Sequence, residues 1–506
     1  MTINKAMNIA LTGLNANQAA LNVVSHNIAN MNTEGYRRQT VHFAEMRTPI
    51  YDNSVRGQIA SLAGVKIDGI TTASSDYLNN YYRVQNSIYE GLQAGADALG
   101  GIANLLDELK DSALGDSLEE FFNAANALNQ NPTDYSLRIN FVERAKAVAN
   151  KFNATSKNLS NYKENLFGPA GATGDAAEVS QVGTDVKQLK DSLQSLADLN
   201  RQINMNPSDT SLQSQRDQIL ANISGFANIT TTLNSNGTAN VKLGNYDLVK
   251  GSEVVGELTY SVNADGSPKI TYYNKETKNP PEDITTTFTG GSIGGVIANL
   301  EYLNNASGKF DNLKNVFVKY MNDLQTGDPD GTGKSPCWYD RDNPAGGILA
   351  ENPPPPKLFE VDAKGNVSVN KEVYDNPDKV AAARVDTTVA DWEKSVGNGD
   401  NALAFFNTKT KPFYGDPPDG LKGLSIQDYI ISIGTEAALK AQDLQNQADA
   451  QGNVVDNISN QILSETGVNL DEELSNMIIY QQAYNASARV FSACVEIYDT
   501  LVNLGK

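Results

Sequence analysis

Apolar side chains recur in alternating steps of three and four residues at both ends of the chain. Near the N-terminus the positions, one of them polar, are Ile3, Met7, Ala10, Leu14, Asn17, Leu21, Val24 and Ile28. Near the C-terminus they are Leu470, Leu474, Met477, Gln481, Tyr484, Ala488, Phe491, Val495, Tyr498 and Val502. This is the a/d spacing of a coiled coil. We therefore predict one long helix at each end and expect the two to pair, although the alternative is that each packs separately on a globular core.

The first helix carries almost no charge. Between Met1 and Thr33 the only Lys, Arg, Asp or Glu is Lys5, and eight Asn share the segment with small residues. A helix face in water normally carries charge pairs that support it. We therefore expect the outer face of this helix to contact protein as well, as it would in an assembly of many subunits.

Between the two ends, the hydrophobic period changes several times. Helical spacing runs from Asp76 to Leu128, from Asp134 to about Leu166 and from Val179 to Ile203, which predicts a bundle. From Phe226 the period is two, and Asn236-Gly237 and Asp265-Gly266 are hairpin turn pairs. Eleven of the eighteen prolines lie between Gly327 and Gly420, a density that excludes long helices and central strands.

These patterns predict a fold that is mainly α with inserted β. Its parts are paired N- and C-terminal coiled-coil helices, a helical bundle domain, a small antiparallel β domain and an irregular insert that projects from the surface. The predicted segments are an N-terminal axial helix with an extended stretch (1–75), the bundle (76–225), the β domain (226–295), a helix returning to the bundle (296–326), the Pro/Gly-rich insert (327–424) and C-terminal axial helices (425–506) with a break near Gly467.

Composition narrows the possible partners. A chain of 506 residues fits roughly three domains. Its net charge of −20 and the absence of a Lys/Arg cluster argue against nucleic acid and against an anionic membrane surface. The sequence has no stretch long enough to span a membrane and no cleavable secretory signal, so export would need another route. Cys337 and Cys494 lie in different segments, and we do not expect them to form a disulfide.

Candidate catalytic and metal-binding motifs are weak. The run from Gly290 to Gly295 lacks the Lys-Ser/Thr of a phosphate loop and is interpreted as a hinge. Asp328-Pro329-Asp330-Gly331 lacks the closing Glu of a calcium loop and is interpreted as a turn. His26 and His42, the only histidines, have no neighbouring Cys and follow no catalytic motif. We therefore expect no enzyme activity, cofactor or metal site.

Two terminal motifs resemble those of a known family. The stretch from Ser25 to Gln39, SHNIANMNTEGYRRQ, is similar to the N-terminal signature of bacterial flagellar axial proteins, which include rod, hook and hook-associated proteins. GVNLDEEL from Gly467 to Leu474, with YQQAY from Tyr480 and ARV from Ala488, resembles the C-terminal signature of the hook-associated proteins at the junction between hook and filament.

The resemblance implies a structural subunit at the hook–filament junction, exported by flagellar type III secretion and assembled through its terminal helices around a central tube. The alternatives are another axial component, such as a hook or distal rod protein, and an enzyme that cleaves peptidoglycan. The implied partners are further copies of the chain in a helix or ring, the hook protein, hook-associated protein 3 and an export chaperone.

Two sets of residues are expected to make these contacts. The predicted assembly interface comprises Ile3, Met7, Leu14, Leu21, Val24, Asn27, Ile28, Asn30, Gly35, Tyr36, Leu470, Leu474, Met477, Gln481, Tyr484 and Ala488. An apolar stripe at the end of the last helix would be exposed before assembly, and we expect the chaperone to cover it. Its residues are Phe491, Val495, Tyr498, Leu501 and Val502.

Overall fold

The computed structural model describes residues 3–33, 36–50, 59–73, 75–111, 114–329, 331–339, 348–349, 355–386, 388, 397–412 and 423–504. Its helices are α1 (Ile3–Asn30), α2 (Asp76–Asp111), α3 (Leu114–Gln130), α4 (Tyr135–Phe167), α5 (Asp175–Glu178), α6 (Gln181–Met205), α7 (Thr210–Phe226), α8 (Gly291–Ala298), α9 (Leu300–Thr326), α10 (Lys371–Asp375), α11 (Asp400–Asn407), α12 (Ile426–Thr466) and α13 (Leu470–Leu504).

The strands of the described residues pair in antiparallel sheets. They are β1 (Gln39–Ile50), β2 (Ile59–Thr72), β3 (Ile229–Leu233), β4 (Ala239–Leu243), β5 (Tyr246–Lys250), β6 (Glu253–Val254), β7 (Gly256–Val262), β8 (Pro268–Asn274), β9 (Glu282–Asp283), β10 (Ser335–Trp338), β11 (Ile348–Leu349), β12 (Phe359–Val361), β13 (Val367–Val369) and β14 (Ala383–Val385). The sheet orders are β1-β2, β3-β4-β5-β6, β7-β8-β9, β11-β10-β14 and β12-β13. The predicted fold class, mainly α with inserted antiparallel β, is confirmed.

The helical domain forms where the sequence predicts it. Asp134 caps α4 by accepting hydrogen bonds from the amides of Ser136 and Leu137, directly after the Asn131-Pro132 break. The buried face of α4, with Phe141 and Phe152, packs against aromatic rings from other helices. Ring centroids lie 5.0 Å apart for Phe121–Phe141, 5.3 Å for Phe152–Phe317 and 5.4 Å for Phe141–Phe405. Packed aromatic rings of this kind contribute strongly to a core.

The glycine run at 290–295 brings two helices into close contact. A Cβ atom at Gly295 would overlap the carbonyl oxygen of Gly91, and one at Gly95 would lie 3.3 Å from the oxygen of Gly295. Only glycine therefore permits α8 to cross α2 at this distance. The run begins a packed helix, and the hinge interpretation misses this role.

The predicted β domain folds as two small sheets. Gly237 and Gly266 adopt the positive φ angles (84° and 78°) that the Asn-Gly and Asp-Gly turns require. Along β7 the buried residues alternate with partly or fully exposed ones, so Leu258, Tyr260 and Val262 face the core. Period-two spacing therefore identifies this domain correctly.

The prediction that the insert projects from the surface is wrong for its described residues. Phe359, Val380 and Phe405 are fully buried and belong to the same hydrophobic core as the helical domain. The buried guanidinium of Arg138 on α4 donates to the carbonyls of Asp378 (3.1 Å) and Val380 (2.8 Å). Proline density limits the length of the elements here but does not prevent short strands and helices from packing inward. Residues 340–347, 350–354, 389–396 and 413–422 lie outside the described part.

The two ends of the chain form a separate unit, which we call the terminal unit: α1, the β1-β2 hairpin and α13. The helices are antiparallel, since Asn27 contacts Glu473 and Gly13 lies against Ser487. The hairpin packs on α1 at Gly64, which has φ of +125° and where any added Cβ would clash with the side chain of Thr12. The predicted pairing of the ends is therefore observed.

Candidate functional site

Asn27 links the two terminal helices and the strand after the first one. Its side chain is fully buried. The Nδ2 group donates to the carbonyl of Gln39 (2.9 Å) and to Glu473 Oε2 (3.1 Å). Oδ1 accepts from the hydroxyl of Tyr36 (2.7 Å) and the amide of Gln39 (3.0 Å). All four hydrogen-bonding positions of this amide are thus used within the chain.

Tyr36 lies beside this amide and closes the turn after α1. Its hydroxyl is 2.9 Å from Nδ1 of His26, and the two rings are 5.5 Å apart. Burial raises the pKa of Tyr36 to about 12, and the negative charge of Glu473 acts in the same direction. The hydroxyl therefore stays protonated at neutral pH and donates to Asn27.

Arg38 holds the first turn of α13. Its Nε donates to Glu473 (2.8 Å), and its two terminal nitrogens donate to the two oxygens of Glu472 (3.0 and 2.9 Å). Burial opposes the charge on Arg38, but hydrogen bonds and attraction from both carboxylates raise its pKa above the usual value. Asn469 caps the helix by accepting from the amide of Asp471 (3.0 Å). Acidic side chains in the first turn of a helix also interact favourably with the helix dipole.

Arg37 points away from the terminal unit to the helical domain. Its guanidinium lies 2.6 Å from the carboxylate of Asp217 on α7. Sequence reasoning missed Asp217, because nothing in the α7 pattern marks it among ordinary helix residues. The sequence shows that Arg37 and Arg38 are adjacent in the N-terminal signature. It does not show that Arg37 binds the helical domain while Arg38 binds α13.

The predicted N-terminal interface residues are buried or half-buried in the single chain where the structure describes them. Val24 and Asn27 are buried. Half-buried residues are Ile3, Met7, Leu14, Leu21, Ile28, Asn30 and Tyr36. Gly35 lies outside the described residues. The side chains that reach the hairpin and α13 also include Ala20 and Val23, which pack with Val41, Ile67 and Tyr480.

The stripe predicted on α13 coincides only in part with the face that packs on α1. Leu474 and Gln481 are exposed, as is Leu470, whereas Met477, Tyr484 and Ala488 are half-buried. The side chains that meet α1 and the hairpin are instead Glu473, Tyr480 and Ser487. Apolar residues occur on several sides of α13, so spacing alone did not distinguish the face that pairs within the chain. A role of the exposed residues between subunits stays a prediction.

The predicted chaperone stripe divides between two environments. Phe491 and Val495 are half-buried, while Tyr498, Leu501 and Val502 are 46%, 53% and 45% exposed. A second exposed stripe, which the sequence reasoning missed, runs along α13 through Ile479 (55%), Val490 (52%), Ile497 (52%) and Leu501. The spacing of these residues places them on one side of the helix.

A shallow groove lies between α1, α13 and β2 next to this second stripe. It has a volume of about 590 Å³, and much of its wall consists of small residues, with Val490 at one side: Ala10, Gly13, Gly64, Ala486 and Ser487. Glu45 is the one charged residue among those that line it in the described part of the chain. Small residues allow close approach of another backbone.

The remaining chemical candidates have structural partners. His42 contacts the hydroxyl of Thr71 (2.7 Å) on the hairpin. The carboxylate of Asp328 accepts from the hydroxyl of Thr332 and the amide of Gly333, as a turn residue does. Cys337 and Cys494 are both buried and are not joined to each other in a disulfide. Among the helices that the structure describes, none has the length and apolar character of a bilayer-spanning segment.

Family models match three parts of the chain. Residues 99–336 match the helical domain of the flagellar hook-associated protein FlgK. Residues 7–37 match the flagella basal body rod protein model, and residues 459–504 match the C-terminal model of the flagellar basal body rod FlgEFG proteins. The two terminal matches cover most of α1, Tyr36 and Arg37, the end of α12 and the whole of α13.

Similarity to curated proteins extends over nearly the whole chain. It is 25% identical over 572 residues to flagellar hook-associated protein 1 of Escherichia coli, covering 99% of this chain and 100% of that protein. The chain is 27% identical over 523 residues to flagellar hook-associated protein 1 of Bacillus subtilis, covering 98% of this chain and 97% of that protein. A match to the flagellar hook protein FlgE of Caulobacter vibrioides is 42% identical but covers 66 residues, 13% of this chain.

A solved structure shares the fold. The flagellar hook junction protein FlgK from Burkholderia pseudomallei superimposes with a TM-score of 0.51 at 15% identity, covering 76% of this chain and 99% of that chain. The likeness supports the same arrangement of helical and β parts at low sequence identity.

Proposed function

This chain belongs to the flagellar hook-associated protein 1 family, and from that premise we propose that it forms the junction between hook and filament by packing many copies through the terminal unit. It is a structural component of the exported bacterial flagellum. The observation that carries the assembly proposal is the outer surface of the paired terminal helices. That surface presents apolar residues of α13 that have no cover in the single chain.

The terminal unit has the properties of a subunit interface. Ile479, Val490, Ile497 and Leu501 expose about half of their side chains along one side of α13. Large exposed apolar patches of this kind mark protein contact sites. The adjoining groove is lined by small residues and carries almost no charge. We infer that neighbouring copies cover the stripe and the groove in a helix or ring.

The hook protein and hook-associated protein 3 are the proposed neighbours on the two sides of the junction. An export chaperone is proposed to cover the end of α13 before assembly. We further propose that the chain has no catalytic activity, in keeping with the structural role of its family. The similarity to a hook protein is confined to a short stretch, which favours the junction over the hook itself.

Immunolabelled electron microscopy of intact flagella from the source bacterium tests this function. Antibodies raised against the helical domain should label a single short band between the hook and the filament. Flagella from a deletion strain provide the matched control and should carry hooks without filaments. Labelling along the whole hook, or within the rod, would contradict the proposal and favour another axial component.

A further inference from the structure

The chain crosses between the terminal unit and the helical domain twice, and both crossings lie beside the segment that links α1 to β1. The crossings lie at Ala73 and at 466–469, and the link between α1 and β1 lies at 36–38. Backbone hydrogen bonds hold them together: the amide of Arg38 donates to the carbonyl of Thr466 (2.8 Å), and the amide of Ala73 donates to the carbonyl of Arg38 (3.0 Å). The backbone of Arg38 therefore connects the two crossings of this joint.

The neighbouring side chain, that of Arg37, connects the joint to α7. Its Nη1 donates to Asp217 Oδ2 (2.6 Å), and its Nη2 donates to Asn79 Oδ1 (3.3 Å). The side chain of Arg37 is 11% exposed and that of Asp217 is 5% exposed. An ion pair with so little solvent contact is costly to break, because each charge would be left buried without its partner.

Asp217 serves more than one guanidinium. Its Oδ1 accepts from Nε (2.9 Å) and Nη2 (2.8 Å) of Arg216, and Arg216 also donates to the carbonyl of Gly237. Arg83 on α2 lies close enough to sense these charges. Burial lowers the pKa of Arg83. The positive charges of Arg216 and Arg37 lower this pKa further, and the negative charge of Asp217 raises it. One buried carboxylate thus sits among three arginines from three segments of the chain.

We propose that Asp217 is the anchor of a latch, formed with Arg37, Asn79 and Arg216, that fixes the orientation of the terminal unit against the helical domain. Without the carboxylate, the guanidiniums of Arg37 and Arg216 would repel each other in a site with little water. Arg37 would then move out toward solvent and draw the segment 36–38 with it, away from the two crossings. The latch is a property of the single chain and does not depend on the position of the protein in the flagellum.

Hydrogen–deuterium exchange of the full chain, resolved to single amides, tests the latch. Asp217→Asn and Arg37→Gln should each speed exchange at the amides of Arg38 and Ala73 at least about tenfold, since breaking a buried pair is strongly destabilising. The matched control is Asp198→Asn, which removes the exposed pair with Arg201 on α6 (3.1 Å). It should leave both amides at the wild-type rate.

Three results would overturn the latch. One is an unchanged rate at both amides in Arg37→Gln, a substitution that leaves the Arg216–Asp217 pair intact. The second is faster exchange throughout α7 in Asp217→Asn with no preference for the joint, which would assign Asp217 to local packing. The third is the absence of protection at Arg38 and Ala73 in the wild-type chain. None of these outcomes would alter the position of the antibody band, so the two proposals fail separately.

Discussion

Asn27 shows how a single uncharged side chain can specify the pairing of two helices. An apolar residue at this seam position would pack with many partners, whereas the amide is satisfied only when Tyr36, Gln39 and Glu473 are all in place. A buried polar group left without partners costs about 1–3 kcal/mol. The pairing of α1 with α13 is therefore restricted to one register.

Replacement of Asn27 by Ala should weaken the terminal unit. The free energy of unfolding should fall by about 1–3 kcal/mol, because the carboxylate of Glu473 and the amide of Gln39 lose a partner in a buried site. Urea titration followed by far-UV circular dichroism measures this. Asn22→Ala, at an exposed position of the same helix, should change the value by less than about 0.5 kcal/mol. Equal effects of the two substitutions would contradict the assigned role.

Tyr36 makes the terminal unit sensitive to alkaline pH. Its pKa is about 12 in the folded chain and 10.0 when unperturbed. Because the folded value is raised, the folded state binds more protons between pH 10 and 12, so this contribution is complete below pH 10 and is lost as pH rises toward 12. The stability difference between wild type and Tyr36→Phe should therefore shrink over that range. A difference independent of pH would show that Tyr36 ionises as an ordinary exposed tyrosine does.

At the scale of elements, α13 explains why spacing alone predicts a helix better than its orientation. Its start, its length and the break at Gly467 follow from the sequence, and Asn469 caps it. Its apolar residues surround the axis, and the polar Glu473 occupies a buried position because Asn27 and Arg38 are available to it. A buried carboxylate with partners on another segment cannot be recognised from the spacing of apolar residues.

Aspartate substitutions at packed and at exposed positions of α13 should therefore behave differently. Tyr480→Asp places a carboxylate among Ala20, Val23 and Val41 and should unfold the terminal unit, since an unpaired buried charge costs several kcal/mol. Ile497→Asp, on the exposed stripe, should leave the fold intact and prevent assembly. Leu474→Asp should behave like Ile497→Asp. Circular dichroism of the free chain and motility of the cells are the measurements.

These substitutions separate pairing within the chain from packing between chains. Cells with Ile497→Asp should make hooks, release filament protein into the medium and fail to swim. Normal swimming of Ile497→Asp and Leu474→Asp cells would contradict the assignment of this surface to assembly. A folded terminal unit in Tyr480→Asp would contradict the observed seam.

The end of α13 should change conformation when the chaperone binds. A peptide of residues 470–506 should be mostly coil by circular dichroism, because an isolated helix lacks its packing partner, and should become helical when the chaperone is added. Val495→Asp with Tyr498→Ala should abolish that gain. The control is a chain that ends at Gly467, and calorimetry showing that the chaperone binds it as tightly as the full chain would place the site elsewhere.

At the scale of the whole molecule, the insert belongs to the core. Phe405 on α11 is fully buried against Phe141 of α4, so Phe405→Ala should lower the free energy of unfolding by about 3–5 kcal/mol. Leu403→Ala on the same helix, at a 37% exposed position, should cost much less. The measurement is urea unfolding of the full chain. If both variants match wild type, α11 adds nothing to stability, as would be expected of an insert that projects from the surface.

The sequence thus predicted the fold where signals are local and repeated. Caps, turn glycines and apolar spacing located α4, α6, α12 and the β7-β8 hairpin. It failed where a contact joins distant segments, as in the packing of Phe359 on Phe317 or the ion pair between Arg37 and Asp217. The terminal motifs identified the candidate site, but the partners of its charged residues became visible only in three dimensions.

The bond between Asn27 and Glu473 also has a consequence for the timing of synthesis. Its two residues are 446 positions apart. At a translation rate of about 5–20 residues per second, roughly 20 to 90 seconds pass between their appearance on the ribosome. During that interval the whole helical domain can fold, since helices and loops form in microseconds. The first element to be made is therefore the last to find its helical partner, and α1 stays without α13 for most of the time that the chain takes to be made.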